Sequence, residues 1–93
     1  MELRYHLDDS GEPHIYGHGV TELEVEEVLD RPLEKTPGRG ESVIALGRTR
    51  AGRFLKVIYS PADEGPGIFV ISAFDLAPKQ VRAMNRRLRR KRR

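Results

Sequence analysis

Three consecutive runs of strand-like sequence, Ser42–Arg48 (SVIALGR), Arg53–Ser60 (RFLKVIYS) and Gly67–Phe74 (GIFVISAF), constrain this chain more than any other feature. Each is rich in β-branched, aliphatic or aromatic residues, and each is bounded by turn formers. Thr49–Gly52 is short enough for a hairpin, with Gly52 supplying a positive φ angle, and Pro61–Pro66 (PADEGP) is a longer turn. The economical assembly is a three-stranded antiparallel meander. In the middle run, Leu55, Val57 and Tyr59 alternate with Phe54, Lys56 and Ile58, so periodicity does not say which face meets a helix.

Helical signals lie on either side of these runs. Thr21-Glu22-Leu23-Glu24 reads as a capping box, in which the Thr21 hydroxyl and the Glu24 carboxylate satisfy each other's backbone N–H, with Val20 and Val25 placed for a hydrophobic staple. Val25, Val28 and Leu29 then keep helical spacing, and the early glutamates suit the positive end of the helix dipole. Pro32 stops this helix at Asp30 or Arg31. Pro37-Gly38-Arg39-Gly40 reads as a loop. A second helix starts at Pro78, with Val81, Met84 and Leu88 as a thin apolar stripe. Past Leu88 nothing apolar remains, so residues 89–93 are expected to fray into a flexible basic tail. Residues 1–19 hold Leu3, Tyr5 and Leu7 in alternation and then many turn formers, which suggests one short strand and a loop. The expected fold is α+β, a small antiparallel sheet of three to four strands packed with two α-helices.

With 93 residues the chain can build one core, hence a single domain over residues 1–93. It contains no cysteine, which excludes disulfide and thiolate-metal frameworks and suits a reducing compartment. Charge begins at Glu2, no apolar signal region follows, and no stretch nears about 18 apolar residues. A cytoplasmic protein without membrane association is expected.

The net charge of +3 conceals a strong polarity. Nine basic and no acidic residues lie from Lys79 to Arg93, while the other eight basic and all fourteen acidic residues precede them, so a body of −6 carries an end of +9. Guanidinium forks match phosphate oxygens and release condensed counterions on binding, which makes Lys79, Arg82, Arg86, Arg87, Arg89 and Arg90 candidate nucleic-acid contacts. Docking of an acidic protein, or plain solubilisation, would need the same composition. Arg48, Arg50, Arg53 and Lys56 flank the hairpin and could gather on one rim to stabilise a pentacovalent phosphate, or simply be solvated. Among the histidines, His18 stands just before the capped helix and is the best-placed general acid or base. The histidines are read as having no companion at metal-ligand spacing and the carboxylates cluster elsewhere, so no zinc site is expected. The six tyrosines and phenylalanines are needed mostly as core filling, with base stacking as the other use. Walker, G-x-G-x-x-G, G-x-S-x-G and H-E-x-x-H motifs are absent, and no cofactor is expected.

The order H-G-V-T (His18–Thr21), E-x-E-V-E-E-V-L-D-x-P ending at Pro32, A-L-G-R-T (Ala45–Thr49), G-R-x-L-x-V-x-Y (Gly52–Tyr59) and V-I-S-A (Val70–Ala73), followed by a basic helix, resembles the BrnT family of toxins, within the RelE/ParE-like toxin–antitoxin group. The similarity spans residues 18–87. It implies a helix-and-antiparallel-sheet fold, metal-independent endoribonuclease activity and a cognate antitoxin protein. On matching positions it points to Arg48, His18 and Tyr59 as catalytic, to which the charge pattern adds Arg50 and Arg53. Four positions depart from the family: Gly17 stands where a Lys is usual, Phe74 where an Arg is usual, and Gln80 and Met84 where Glu and Tyr are usual. Two readings follow, an RNA-cleaving toxin or a module that binds nucleic acid or protein without cutting.

Overall fold

The computed structural model describes residues 2–62 and 65–92. Its sheet has five strands, β1 (Leu3–Tyr5), β2 (Glu34–Pro37), β3 (Val43–Arg48), β4 (Phe54–Pro61) and β5 (Ile68–Asp75), in the order β1-β5-β4-β3-β2. A 3₁₀ turn, His14–His18, and helix α1 (Glu22–Asp30) lie between β1 and β2, and helix α2 (Pro78–Lys91) follows β5. The expected meander is β3-β4-β5, antiparallel throughout. The sheet as a whole corrects the expected three to four antiparallel strands in two ways. β1 pairs in parallel with β5, Leu3 opposite Ile68 and Tyr5 opposite Val70. Glu34–Pro37, whose last residue reads in the sequence as the start of a loop, forms an edge strand on β3. Pro37 ends that strand, a position where its missing N–H costs least.

The alternation in β4 resolves into two unlike faces. Leu55 and Val57 are fully buried beside Ala45, Val25 and Val28, so this face carries α1. Gly47 lies on the same face, where a Cβ would stand 2.8 Å from Val28 Cγ1; the helix approaches β3 that closely only because the side chain is absent. A bulge leaves Ile71 unpaired, since Ile58 faces Ser72 while Tyr59 faces Val70. One inserted residue resets the two-residue period, and that is why Val70 and Ala73, three apart, are both buried.

Helix α1 begins and ends as its sequence implies. Glu24 N–H donates to Thr21 Oγ1 at 3.2 Å, Thr21 N–H donates to Glu24 Oε1 at 3.0 Å, and the helix closes at Asp30. Helix α2 starts at Pro78 and runs on to Lys91, three residues beyond the apolar stripe. Arginine and lysine propagate helix well, and cations in the last turn are favoured by the dipole. Arg93 lies outside the described residues. The core is aliphatic, and none of the six phenylalanines and tyrosines is fully buried. They surround it instead, with Tyr5 and Tyr59 packed against it. Burial, helped by the nearby Glu22 and Glu26 charges, pushes the Tyr5 hydroxyl up to about 12. Among the described residues no helix is long and apolar enough to cross a membrane.

Candidate nucleic-acid interface

The sheet face turned away from α1 carries Ile44, Leu46, Phe54, Lys56, Ile58 and Phe74, all half-buried. Helix α2 flanks one side of it, leaving a groove of about 290 Å³ in which Ile44, Leu46 and Lys56 from the sheet meet Gln80, Ala83 and Arg87 from the helix. Two cations lie over aromatic rings on this face, Arg48 over Phe54 at 5.4 Å and Lys56 over Phe74 at 5.6 Å. Such an arrangement holds the cation through its stem and ring while leaving its donors for an anion. Phe74 therefore supports a neighbouring cation, Lys56.

The basic residues divide into engaged and available ones. Arg53, expected as a phosphate contact, is saturated by the fold. Its Nε and Nη2 grip Asp75 at 2.7 and 3.0 Å, and Nη1 donates to Gly19 O at 2.7 Å and to Glu24 Oε1 at 3.0 Å. The remaining Nη2 proton points to His18 O at 3.5 Å. A guanidinium has five N–H groups, and all five are taken. Asp75 is held below the usual carboxylate range chiefly by these bonds, and Glu24 chiefly by the Thr21 N–H with Arg53 assisting. Arg87 is engaged as well, its Nη2 2.7 Å and Nε 2.9 Å from the buried carboxylate of Glu34, which ties α2 to β2. The Arg87 hydrogen bonds favour the charged form of Glu34 and hold it below the usual carboxylate range, against the opposing effect of burial.

Lys79, Arg82, Arg86, Arg89 and Arg90 are exposed on α2, and among the described residues none stands within 4 Å of a carboxylate. Arg48 is exposed at the end of β3. Arg50 hangs from the following turn with its side chain 89% exposed, 3.8 Å from Glu27, on the α1 side of the molecule. Tyr59 packs on the core on that side too, away from the cationic face. The expected catalytic set is thus brought together only in part: Arg48, at the edge of the groove face, and Arg50 line one shallow hollow with Glu27 and Asp30, whereas Arg53 is held by its own partners and Tyr59 packs on the core on the α1 side.

His18 is exposed at the end of the 3₁₀ turn, and it has company. Its ring is 5.1 Å from that of His14 and 5.7 Å from that of Phe74, while His14 is 5.6 Å from His6, whose other neighbour is Phe69 at 6.3 Å. The bridge of Leu7 with Pro13 folds the segment back so that His14 N–H donates to His6 O at 2.8 Å. This corrects the reading of the histidines as unpaired: His14 and His18 are spaced H-x3-H, a signal sufficient to pair them, whereas His6 comes from a different element and carries none. Among the described residues no group of three or more His, Asp and Glu side chains is gathered closely enough to form a metal shell.

The sequence matches no known family profile and no curated protein, and the fold matches no solved structure.

Proposed function

We propose that this protein is a toxin-like RNA-binding protein whose basic helix and neighbouring sheet face hold single-stranded RNA, and that it cuts RNA without a metal. The observation that carries the reading is the contrast along α2: Arg87 is spent on Glu34, whereas Lys79, Arg82, Arg86, Arg89 and Arg90 reach solvent without an acidic partner among the described residues. Unpaired arginines on one helix steer and neutralise a phosphate backbone, and half-buried aromatics beside cations accept unpaired bases. Arg48 and Lys56 are the groove-face cations that would meet a scissile phosphate. An antitoxin partner would oppose the same face, burying the groove and offering carboxylates to α2.

A fluorescent RNA oligonucleotide titrated with protein over a series of salt concentrations tests binding. The wild type should show log affinity falling linearly with log salt. Replacing Arg82, Arg86, Arg89 and Arg90 together by Gln should flatten that slope by roughly 0.7 for each phosphate that is no longer neutralised. Equal slopes would sink the reading. Growth arrest on expression, with transcripts cut in the presence of chelator, tests cleavage.

A second reading, binding without cutting, has its own support. Gln80 is occupied in accepting the Ala77 N–H at 3.0 Å, and Met84 is fully buried, so two of the four positions that depart from the resembled family serve the fold. RNA binding with transcripts left intact would favour this reading.

A further inference from the structure

The paired imidazoles of His14 and His18 go beyond a lone acid or base. Both are held by the backbone. The His14 amide is bonded to His6 O, and the turn ends at Gly19, whose positive φ of 69° lets Val20 N–H return to Ile15 O. From the other side, the Arg53 clasp holds the Gly19 and His18 carbonyls. The rings stand nearly perpendicular, at 82°, and among the described residues no side chain or backbone group hydrogen-bonds their nitrogens. His18 is exposed and His14 half-buried, so solvent reaches both. The Phe74 ring stands 5.7 Å from the His18 imidazole and carries the Lys56 ammonium 5.6 Å over it, so the pair opens beside the groove face.

We propose that His14 and His18 form a two-imidazole acid–base pair for RNA strand scission. This rests on the RNA-binding reading above. One imidazole, neutral, takes the proton of the ribose 2′-hydroxyl as the 2′-oxygen forms its bond to phosphorus. The P–O5′ bond breaks, and the departing 5′-oxygen takes a proton from the other imidazole, which enters as imidazolium. The products are a 2′,3′-cyclic phosphate and a 5′-hydroxyl. The two rings exchange protonation states, and solvent resets them. No oxidant or further reactant is consumed. Two rings are needed because a single histidine cannot be base and acid in one step; histidine suits both tasks near neutrality.

The test uses the full chain, a defined RNA, and the same RNA with a bridging 5′-sulfur at the cleaved bond, a leaving group that departs without protonation. His14→Gln and His18→Gln should each slow cleavage of ordinary RNA by about 100- to 10,000-fold while RNA affinity stays within two-fold. The sulfur-bridged substrate should restore one variant and not the other, identifying the acid. Tyr16→Phe, a change in the same turn, should leave the rate within two-fold. RNA with a deoxyribose at the cleaved position should stay intact. Wild-type rates in either histidine variant, or equal rescue of both, would overturn the pair. RNA that is bound but never cut would overturn the pair and leave the binding reading standing, whereas absence of RNA binding would remove that reading itself.

Discussion

Replacing Arg53 by Lys retains the charge and removes the fork, so it isolates what the clasp contributes. The arginine satisfies two carboxylates and two carbonyls from three parts of the chain, namely the end of the 3₁₀ turn, the first turn of α1 and the end of β5. A lysine ammonium is a compact charge with three donors in place of five and no planar fork, so it cannot keep all of these contacts. Two or three charge-assisted bonds disappear, each worth about 1.5–3 kcal/mol net in a sheltered setting. The Arg53 side chain is 28% exposed and that of Asp75 61%, so freed groups recover much of their hydration, and we expect a loss of about 2–3 kcal/mol in total. In a domain of this size that lowers the thermal midpoint by roughly 10–20 °C. The pH dependence follows from the two carboxylates. Both are lowered from their ordinary values of 3.8 for Asp75 and 4.5 for Glu24, so their contribution is complete above those values and is lost as pH falls through the still lower folded values. Urea unfolding of wild type and Arg53→Lys at neutral pH and at about pH 3 should therefore show the gap narrowing in acid. A variant as stable as wild type at neutral pH, or a gap of the same size at both pH values, would refute the clasp.

Gly47→Ala should destabilise by about 1–3 kcal/mol in chemical denaturation, because its Cβ would meet Val28 Cγ1 at 2.8 Å, and Val28→Ala in the same chain should cost less than the two changes added. Thr21→Ala removes the hydroxyl that caps α1 and should cost about 1 kcal/mol, read as a lower urea midpoint with an unchanged slope. Arg87→Ala leaves the Glu34 carboxylate buried without its partner and should lower the midpoint; adding Glu34→Leu should recover part of the loss, and a double variant worse than either single one would show the pair to be unimportant.

Much of the fold is written locally. The Thr21–Glu24 box, Pro32 and Pro78 act within one turn of themselves, and they set the bounds of α1 and the start of α2 where the structure has them. The meander is legible because its strands are consecutive. β1 and β2 are not legible for the opposite reason. Leu3–Tyr5 is three residues long and becomes a strand only by pairing with Ile68–Val70, far along the chain. Glu34–Pro37 has little strand propensity and takes its conformation from the exposed edge of β3.

The candidate site divides along the same line. Composition locates cations, yet it does not say which are already spent. Arg53 and Arg87 look like their neighbours in the sequence, and what distinguishes them is an acid delivered from elsewhere: Asp75 and Glu24 in one case, Glu34 in the other. An acidic body makes such capture common near the sheet. Along α2 it becomes rare, because beyond Asp75 the chain has no acid of its own and, among the described residues, only Glu34 reaches the helix. The Arg53 clasp is separate from that helix, since Glu24 and Asp75 lie on Arg53 and not on any cation of α2. Release of those carboxylates in Arg53→Lys would leave α2 untouched, so that variant should lose stability and keep the salt slope of RNA binding. A slope altered in step with stability would mean that the cations of α2 depend on the clasp, and that fold and interface are not separable in this chain.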